Sequence, residues 1–234
     1  MVNCFSALFV FLVKFLEPPS QISLEAVYTL QLVGFSTGCA GCLLTLVTMR
    51  HTDWKLWFIE KNSVYNAGIV HVGIWKICFP PNLKGFATYQ VRCCHEFAFY
   101  EEFFPIEMKA CQLLMAVSSL LAFLGLVFSF LTPWNICCQT HNYMKIRWLF
   151  ILGGLFFMLS SICVIVPVSW NVYSVSRNES IPFSYSFSLP ARPIVQRNGS
   201  AVFLGYMSGI LMLISGLCII IQRSFMRPIR ITAV

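Results

Sequence analysis

The sequence predicts a mainly α membrane protein, a four-helix transmembrane bundle that carries a small extracellular antiparallel β-sheet. Hydrophobic residues make up 58% of the 234 residues and charged residues only 11%, whereas about 25% of a soluble domain is charged. Four apolar runs are long enough to cross a bilayer, and the longest connection between them is rich in strand-forming residues. A globule with so little charge could not cover its own surface, so lipid must surround most of this chain.

The four apolar runs cover approximately residues 27–49, 110–131, 148–170 and 201–221, and none contains Asp, Glu, Lys or Arg. About 20 helical residues cross the roughly 30 Å hydrocarbon core of a bilayer. Continuous apolarity favours helices over alternating strands, and a helix bonds its own backbone where lipid cannot. The alternative, four buried helices of a soluble bundle, would leave no polar face for water.

These runs define one four-span domain at residues 27–221, with an N-terminal extension at 1–26 and a tail at 222–234. The extension contains an apolar run, Cys4–Leu16, that is too short to span the bilayer. It lacks the charged start and the small-residue cleavage site of a signal peptide. We expect this extension to be cytoplasmic or interfacial, and an interfacial or disordered segment is favoured over a signal peptide or an extra span.

Basic residues predict the orientation of the helices. The tail and the connection between the second and third runs carry basic residues and no acid, and such segments favour the cytoplasm. They contain Arg223, Arg227 and Arg230, and Lys145 and Arg147, respectively. This orientation places the loops 50–109 and 171–200 outside the cell. The 171–200 loop also carries three arginines, so basic residues are not confined to the segments predicted to be cytoplasmic.

Two glycosylation sequons in the 171–200 loop agree with that orientation. They are Asn178-Glu-Ser and Asn198-Gly-Ser, and such sites belong to surfaces outside the cytoplasm. Asn198 lies almost against the fourth apolar run, where the transferase reaches poorly, so Asn178 is the favoured acceptor. Triplets of this kind also arise by chance.

The cysteines of the first loop predict a disulfide. Cys78, Cys93 and Cys94 lie in this loop, and extracellular thiols oxidise readily. If the loop is extracellular, we expect a disulfide between Cys78 and either Cys93 or Cys94. The other cysteine of the adjacent pair then remains a free thiol.

The cysteines near the helices point to other roles. Cys39 and Cys42 have the spacing of a redox motif, but they lie within an apolar run, where packing is the expected role. Cys137 and Cys138 follow the second run at its cytoplasmic end. Juxtamembrane cysteines are candidates for palmitoylation, and the alternative is two unmodified thiols.

The first loop also has the composition of a small sheet. Residues 54–59, 67–77 and 87–92 are rich in Trp, Tyr, Val, Ile and Phe, and turn-forming residues separate them. We expect a small antiparallel sheet that rests on the outer membrane surface. Its core is small, so a disulfide would help to hold it together.

Motifs in this loop and in the third run resemble the claudin family. Trp54, followed by Gly73-Ile-Trp75-Lys-Ile-Cys78 and by Cys93 or Cys94, is similar to the claudin signature of Trp, Gly-Leu-Trp-x-x-Cys and a second Cys. The sequence Val-Pro-Val-Ser-Trp that ends at Trp170 resembles the exit of the claudin third helix. Myelin-type and channel-regulatory four-span proteins share the Gly-x-Trp-x-x-Cys motif. Trp54 and Trp75 have a simpler alternative role as interfacial anchors.

The chain departs from the claudin pattern at several positions. The gap between the motif cysteines is longer, and the Leu of the motif is Ile74. Gln112 replaces the basic residue that is usual near the start of the second helix. The sequence is therefore identified as a divergent member.

The resemblance implies a function and partners. Claudins polymerise with themselves and with other claudins, in cis and in trans, into tight-junction strands in the plasma membrane. The implied function is a structural cell-adhesion protein that controls paracellular permeability. The alternative is a four-span accessory subunit or myelin-type adhesion protein that forms no barrier strands. No enzymatic activity, cofactor, metal or nucleic-acid partner is expected, because the four histidines show no metal spacing and no catalytic motif is present.

The resemblance also implies pore-facing residues, because charged side chains of the sheet select ions by sign. The position after the second motif cysteine is His95 if Cys94 is bridged, and Glu96 follows it. If Cys93 is bridged instead, that position is Cys94 itself. The alternative for His95 is a solvated loop residue. The loop contains six acids and seven bases, so its net charge does not predict selectivity.

The C-terminal residues fit a PDZ ligand. In such a ligand the carboxylate enters a backbone nest, Val234 fills an apolar pocket, and the Thr232 hydroxyl reaches a polar partner. Claudins commonly end in such a ligand, and here Ala233 replaces their usual Tyr. The alternative is a basic segment that its arginines hold against anionic membrane lipid.

Overall fold

The computed structural model describes residues 22–60, 68–79, 94–97, 105–137, 143–181 and 193–225. Within these residues, four helices and five strands form the regular structure. The helices are α1 (Ile22–Arg50), α2 (Ile106–Cys137), α3 (Tyr143–Ser176) and α4 (Ser200–Phe225). The strands are β1 (Lys55–Ile59), β2 (Gly68–Val72), β3 (Lys76–Cys78), β4 (Cys94–Glu96) and β5 (Val195–Asn198).

All four helices are long and apolar enough to cross a membrane, which confirms the predicted fold class. The candidate spans are Thr29–Arg50, Ile106–Trp134, Met144–Ser176 and Ser200–Gln222. The helices extend beyond the apolar runs from which they were predicted. α3 has 34 residues and is therefore about 50 Å long, against about 30 Å of hydrocarbon. Apolarity marks only the part of a helix that lipid surrounds, so the sequence pattern underestimates the length of the helix.

The five strands form one antiparallel sheet in the order β4-β3-β2-β1-β5. Lys55 of β1 pairs with Val72 of β2 on one side and with Asn198 of β5 on the other. The predicted antiparallel sheet is therefore present, and the 171–200 loop contributes a strand to it. The segment 87–92, which we expected to form a strand, lies outside the described residues.

The two faces of the sheet differ because successive side chains of a strand point to opposite faces. Trp57, Val70, Val72 and Ile77 point to the inner face and are buried. Their neighbours along the strands point to the opposite face, which we call the outer face. Cross-strand partners share a face, so Leu56 lies beside His71 on the outer face.

The chain divides into two compact units. The helical unit contains Met1–Cys42, Leu120–Ser160 and Ile210–Val234, and the sheet unit contains Leu43–Ser119 and Ser161–Gly209. In the helical unit, the buried Phe157 fills space that two glycines leave open. A Cβ atom would lie 2.6 Å from the Phe157 ring at Gly38 and 3.1 Å at Gly125. Small residues allow helices in lipid to pack this closely.

The core of the sheet unit joins the inner face of the sheet to α2, α3 and α4. Fully or almost fully buried side chains of this core include Trp54, Trp57, Val70, Val72, Ile77, Met108, Met115, Val164, Val168 and Ala201. Burial of a large apolar side chain contributes about 1.5–3 kcal/mol, so this core fixes the sheet on the helices of the same unit.

Candidate functional site

The sheet and the buried polar contacts beneath it form the candidate functional site. Trp54 precedes β1 and is fully buried. Its indole Nε1 donates a hydrogen bond of 3.0 Å to the carbonyl oxygen of Thr48 at the end of α1. This burial excludes a role for Trp54 as an exposed interfacial anchor. Trp75 is partly buried and packs against the same core.

Gly73 lies at the turn between β2 and β3, where the backbone is crowded. Its amide donates a 2.9 Å hydrogen bond to the carbonyl oxygen of Lys76. A Cβ atom at Gly73 would lie 2.8 Å from the carbonyl oxygen of His51 and 3.0 Å from that of Lys76. The motif therefore requires glycine at this position because backbone groups occupy the space of a side chain.

A disulfide links the last two strands of the sheet. Cys78 of β3 bonds to Cys94 of β4 with an Sγ–Sγ distance of 2.00 Å, and the two residues face each other in the strand register. Phe97, after β4, donates a backbone hydrogen bond of 2.8 Å to Trp75. These links attach the short strand β4 to the rest of the sheet. Cys93, the other predicted partner of Cys78, lies outside the described residues.

Gln112 connects α2 to the motif. Its side chain is fully buried, and its Nε2 donates a 2.6 Å hydrogen bond to the carbonyl oxygen of Ile74. Gln112 and Ile74 both depart from the usual claudin pattern, but the side-chain amide of Gln112 still donates a hydrogen bond to the backbone of the motif. A buried hydrogen bond of this kind contributes about 0.5–1.5 kcal/mol.

A buried ion pair connects β1 to α2. Lys55 is 1% exposed, and its Nζ lies 3.1 Å from Oε1 of Glu107. The same Nζ donates a 2.7 Å hydrogen bond to the hydroxyl of Ser174 on α3, and that hydroxyl donates to Glu107 at 3.1 Å. The charge of Lys55 is thus compensated inside the sheet unit.

Two further side chains extend these contacts along α3. The buried Nδ2 of Asn171 donates a 3.0 Å hydrogen bond to the carbonyl oxygen of Trp54. Contacts with Glu107 and Ser174 hold the pKa of Glu179 below its usual value, and they outweigh the opposing effect of burial. The outer end of α3 is therefore tied to both β1 and α2.

Asp53 joins β2 to the start of α4. Its carboxylate lies 2.7 Å from Nδ1 of His71 and accepts a 3.4 Å hydrogen bond from the hydroxyl of Ser200. Burial acts to raise the pKa of Asp53, but hydrogen bonds from His71 and Thr52, together with the nearby histidines, hold that pKa below its usual value. The backbone amide of Ala201 donates to the carbonyl oxygen of Asp53 at 3.1 Å. The two loops are therefore joined at this residue.

The predicted pore-facing residues lie on β4 and point to different faces. His95 and Glu96 are both exposed. His95 pairs with Ile77, which is on the inner face, whereas Glu96 pairs with Lys76 on the outer face. A ring contact of 6.1 Å joins His95 to Phe97.

The structure describes two of the remaining predicted site residues. Asn178 is exposed just beyond α3, with a φ of 52°, a conformation that asparagine tolerates better than most residues. Cys137 is the last residue of α2. Cys138, Thr232 and Val234 lie outside the described residues.

Sequence reasoning missed β5, the buried Lys55 pair and Asn171. Each depends on a partner far along the chain. A lysine that directly follows a motif tryptophan, and an asparagine that directly follows an apolar run, are the signals that could have found the last two.

Comparisons with known proteins agree with this architecture. A family model described as PMP-22/EMP/MP20/Claudin tight junction matches residues 39–221. Claudin-2 of Homo sapiens is 28% identical over 85% of this chain and 80% of its own length. Claudin-9 of Mus musculus is 28% identical over 76% and 75%. Claudin-3 of Rattus norvegicus is 26% identical over 80% and 79%. The matched range runs from the middle of α1 almost to the end of α4.

Proposed function

Because the chain belongs to the PMP-22/EMP/MP20/claudin tight-junction family, we propose that its copies polymerise into strands that control paracellular permeability. It is a claudin-type multi-pass protein of the plasma membrane at tight junctions. Family membership implies a structural role rather than catalysis. We further propose that the chain polymerises with copies of itself and with other claudins, and that the polymer controls the paracellular path.

The observation that carries the proposal is the sheet that both loops build. β5 from the second long loop pairs with β1 from the first, and the disulfide holds β4 at the far edge. Buried polar groups, including Lys55 and Gln112, attach this sheet to helices of the same unit. A sheet that is held in this way is suited to repeated docking, because little conformational entropy is lost when copies associate.

The second candidate function is that of an accessory or myelin-type adhesion protein. The description of the matched family includes PMP-22, EMP and MP20 beside claudins, and this supports the candidate. Such a protein would bind a channel or a neighbouring membrane without forming barrier strands.

Freeze-fracture microscopy of junction-free cells that express the full chain separates the two candidates. We expect branched strands at contacts between expressing cells. The Cys78→Ser variant, which removes the disulfide, should reach the surface poorly or form no strands. Normal surface delivery of the unmodified chain without strands would reject the proposal in favour of the accessory function.

We also propose that the tail binds a PDZ domain of a junctional scaffold. Support comes from the sequence alone, with Thr232 and a C-terminal Val234 in the positions that such domains read. A peptide of the last ten residues should retain scaffold PDZ domains, and the same peptide without Val234 should not. Equal retention would leave the tail as a basic segment at the lipid surface.

A further inference from the structure

We propose that a cavity between the start of α2 and the end of α3 binds the headgroup of one zwitterionic membrane phospholipid, in which a phosphodiester stands beside an ammonium group. The cavity has a volume of about 750 Å³, and ligand pockets usually have volumes of about 300–1,000 Å³. All the residues that line it belong to the sheet unit. The proposal goes beyond strand formation, because its ligand is a lipid and not another copy of the chain.

The cavity lies where two spans leave the bilayer. The candidate span of α2 begins at Ile106, and that of α3 ends at Ser176. Ile106 is 83% exposed and Trp170 is 41% exposed, and both side chains line the cavity. Tryptophan is enriched at the interface between membrane and water. A phospholipid headgroup is therefore the molecule that the bilayer itself presents to this cavity.

Arg177 gives the cavity a cationic side that suits a phosphate. Its guanidinium lies 5.4 Å from the centre of the Tyr173 ring, so the side chain reaches back along α3 towards the bilayer. Arginine can donate two parallel hydrogen bonds to a phosphate. The start of α2 is also part of the cavity wall, and the positive end of a helix dipole favours an anion. We therefore place the phosphodiester beside Arg177.

Glu107 and Glu179 form the anionic side of the cavity. Their side chains contact each other, and both line the cavity. The buried Nζ of Lys55 lies 3.1 Å from Oε1 of Glu107 and compensates one of the two negative charges. Glu179 carries the other, and Arg177 is close enough to act on it. One negative and one positive charge thus stand side by side, which is the arrangement that a zwitterionic headgroup complements.

Two other ligands fit this cavity less well. An anionic headgroup has no ammonium group, so Glu107 and Glu179 would repel its charge. A metal ion needs more ligands than these two carboxylates, and no group of three His, Cys, Asp or Glu residues in the described part of the chain could hold one. The ammonium group of the headgroup therefore decides which lipid binds.

Native mass spectrometry of the full chain in a maltoside detergent tests the cationic side. The probes are phosphatidylcholine and phosphatidylglycerol with the same acyl chains. N-glycosylation is inhibited during expression, because Asn178 also lines the cavity. The unmodified chain should bind more phosphatidylcholine than phosphatidylglycerol. Arg177→Gln should bind about two- to fivefold less phosphatidylcholine, the effect of one exposed charge pair. Arg197→Gln, at an exposed arginine of β5, is the matched control. Equal binding by Arg177→Gln and Arg197→Gln would overturn the proposal.

Charge reversal on the anionic side should change which lipid binds. Glu179→Lys should favour phosphatidylglycerol over phosphatidylcholine, because the position then attracts a second negative charge. Glu60→Lys, at an exposed acid, should keep the preference of the unmodified chain. The thermal unfolding midpoint in the same detergent shows whether each variant is folded. Glu179→Gln replaces a variant that is not, and it should abolish the preference. A folded Glu179 variant with an unchanged preference would contradict the proposal.

Photolabelling of the unmodified chain needs no variant. The chain is reconstituted in phosphatidylcholine vesicles that contain a trace of the same lipid with a photoreactive group on the choline. Peptide mapping should find most of the label within residues 105–107 and 170–180, which bound the cavity. Label that is spread evenly over the ends of all four helices would show ordinary contact with bulk lipid and would reject the site.

Discussion

Gly73 shows how one residue limits the backbone of the motif. Two carbonyl oxygens, from His51 and Lys76, occupy the space of a Cβ atom at this position. We predict that Gly73→Ala lowers the free energy of unfolding by about 1–3 kcal/mol, the usual cost of overpacking. The thermal unfolding midpoint of the detergent-solubilised protein measures it.

Gly153→Ala is the matched control for this substitution. The nearest atom to its new Cβ is the Ser129 hydroxyl at 3.2 Å, and alanine favours a helix. A Gly73→Ala protein as stable as Gly153→Ala would show that the turn can relax.

The carboxylate of Asp53 predicts a dependence on pH. Its pKa is lowered from the usual value of 3.8 by its hydrogen bonds from His71 and Thr52, against the effect of burial. A lowered pKa contributes stability that is present above pH 3.8 and is lost as the pH falls through the lower folded value. We expect Asp53→Asn to cost about 0.5–1 kcal/mol at neutral pH, and this difference should shrink below pH 4.

Thermal unfolding in detergent between pH 7 and pH 3 measures this prediction. Glu60→Gln, which removes an exposed acid at the end of β1, is the control for a change of charge. A stability difference between Asp53→Asn and the unmodified chain that stays constant down to pH 3 would contradict it.

The buried pair between Lys55 and Glu107 belongs to the scale of elements, because it joins β1 to α2. Removal of one partner leaves an uncompensated buried charge, whereas removal of both leaves none. We predict that Lys55→Met costs about 3 kcal/mol and that Lys55→Met with Glu107→Met recovers most of this loss. Lys145→Met, at an exposed lysine of α3, should have little effect.

Thermal unfolding and surface delivery of the four proteins check this cycle. If the double variant is no more stable than Lys55→Met, the loss of stability does not come from an uncompensated charge on Glu107, and the prediction is wrong.

The elements differ in how far the sequence predicts them. The four helices and β1 follow from local patterns, since apolar runs and clusters of β-branched and aromatic residues report on the chain around them. β5 has four residues, Val195–Asn198, and only Gln196 is buried. Its existence depends on pairing with β1, which lies about 140 residues earlier. Such a partner cannot be read from a local pattern.

The candidate site shows the same limit. The motif residues and the cysteines could be predicted, because the spacing between the residues of a motif can be read directly from the sequence. The face to which His95 points was not, because it depends on the register of β4 with β3. A shift of one residue in that register would exchange the faces of His95 and Glu96.

At the scale of the whole molecule, we predict that both termini are cytoplasmic and that the first long loop is outside. An epitope inserted at Lys84 should be stained on intact cells, and an epitope after Val234 should need permeabilisation. Neither insertion falls within one of the five strands described above. The reverse staining pattern would overturn the extracellular assignment of the sheet.

The pairing of β1 with β5 has a consequence for biosynthesis. Ribosomes add about 5–20 residues per second, so the partner of β1 emerges on the order of ten seconds after β1 itself. During that interval the third helix must enter the membrane while one edge of β1 has no strand beside it. An open strand edge pairs readily with other chains. The nascent protein therefore has a period in the secretory pathway when that edge of β1 is open to other chains.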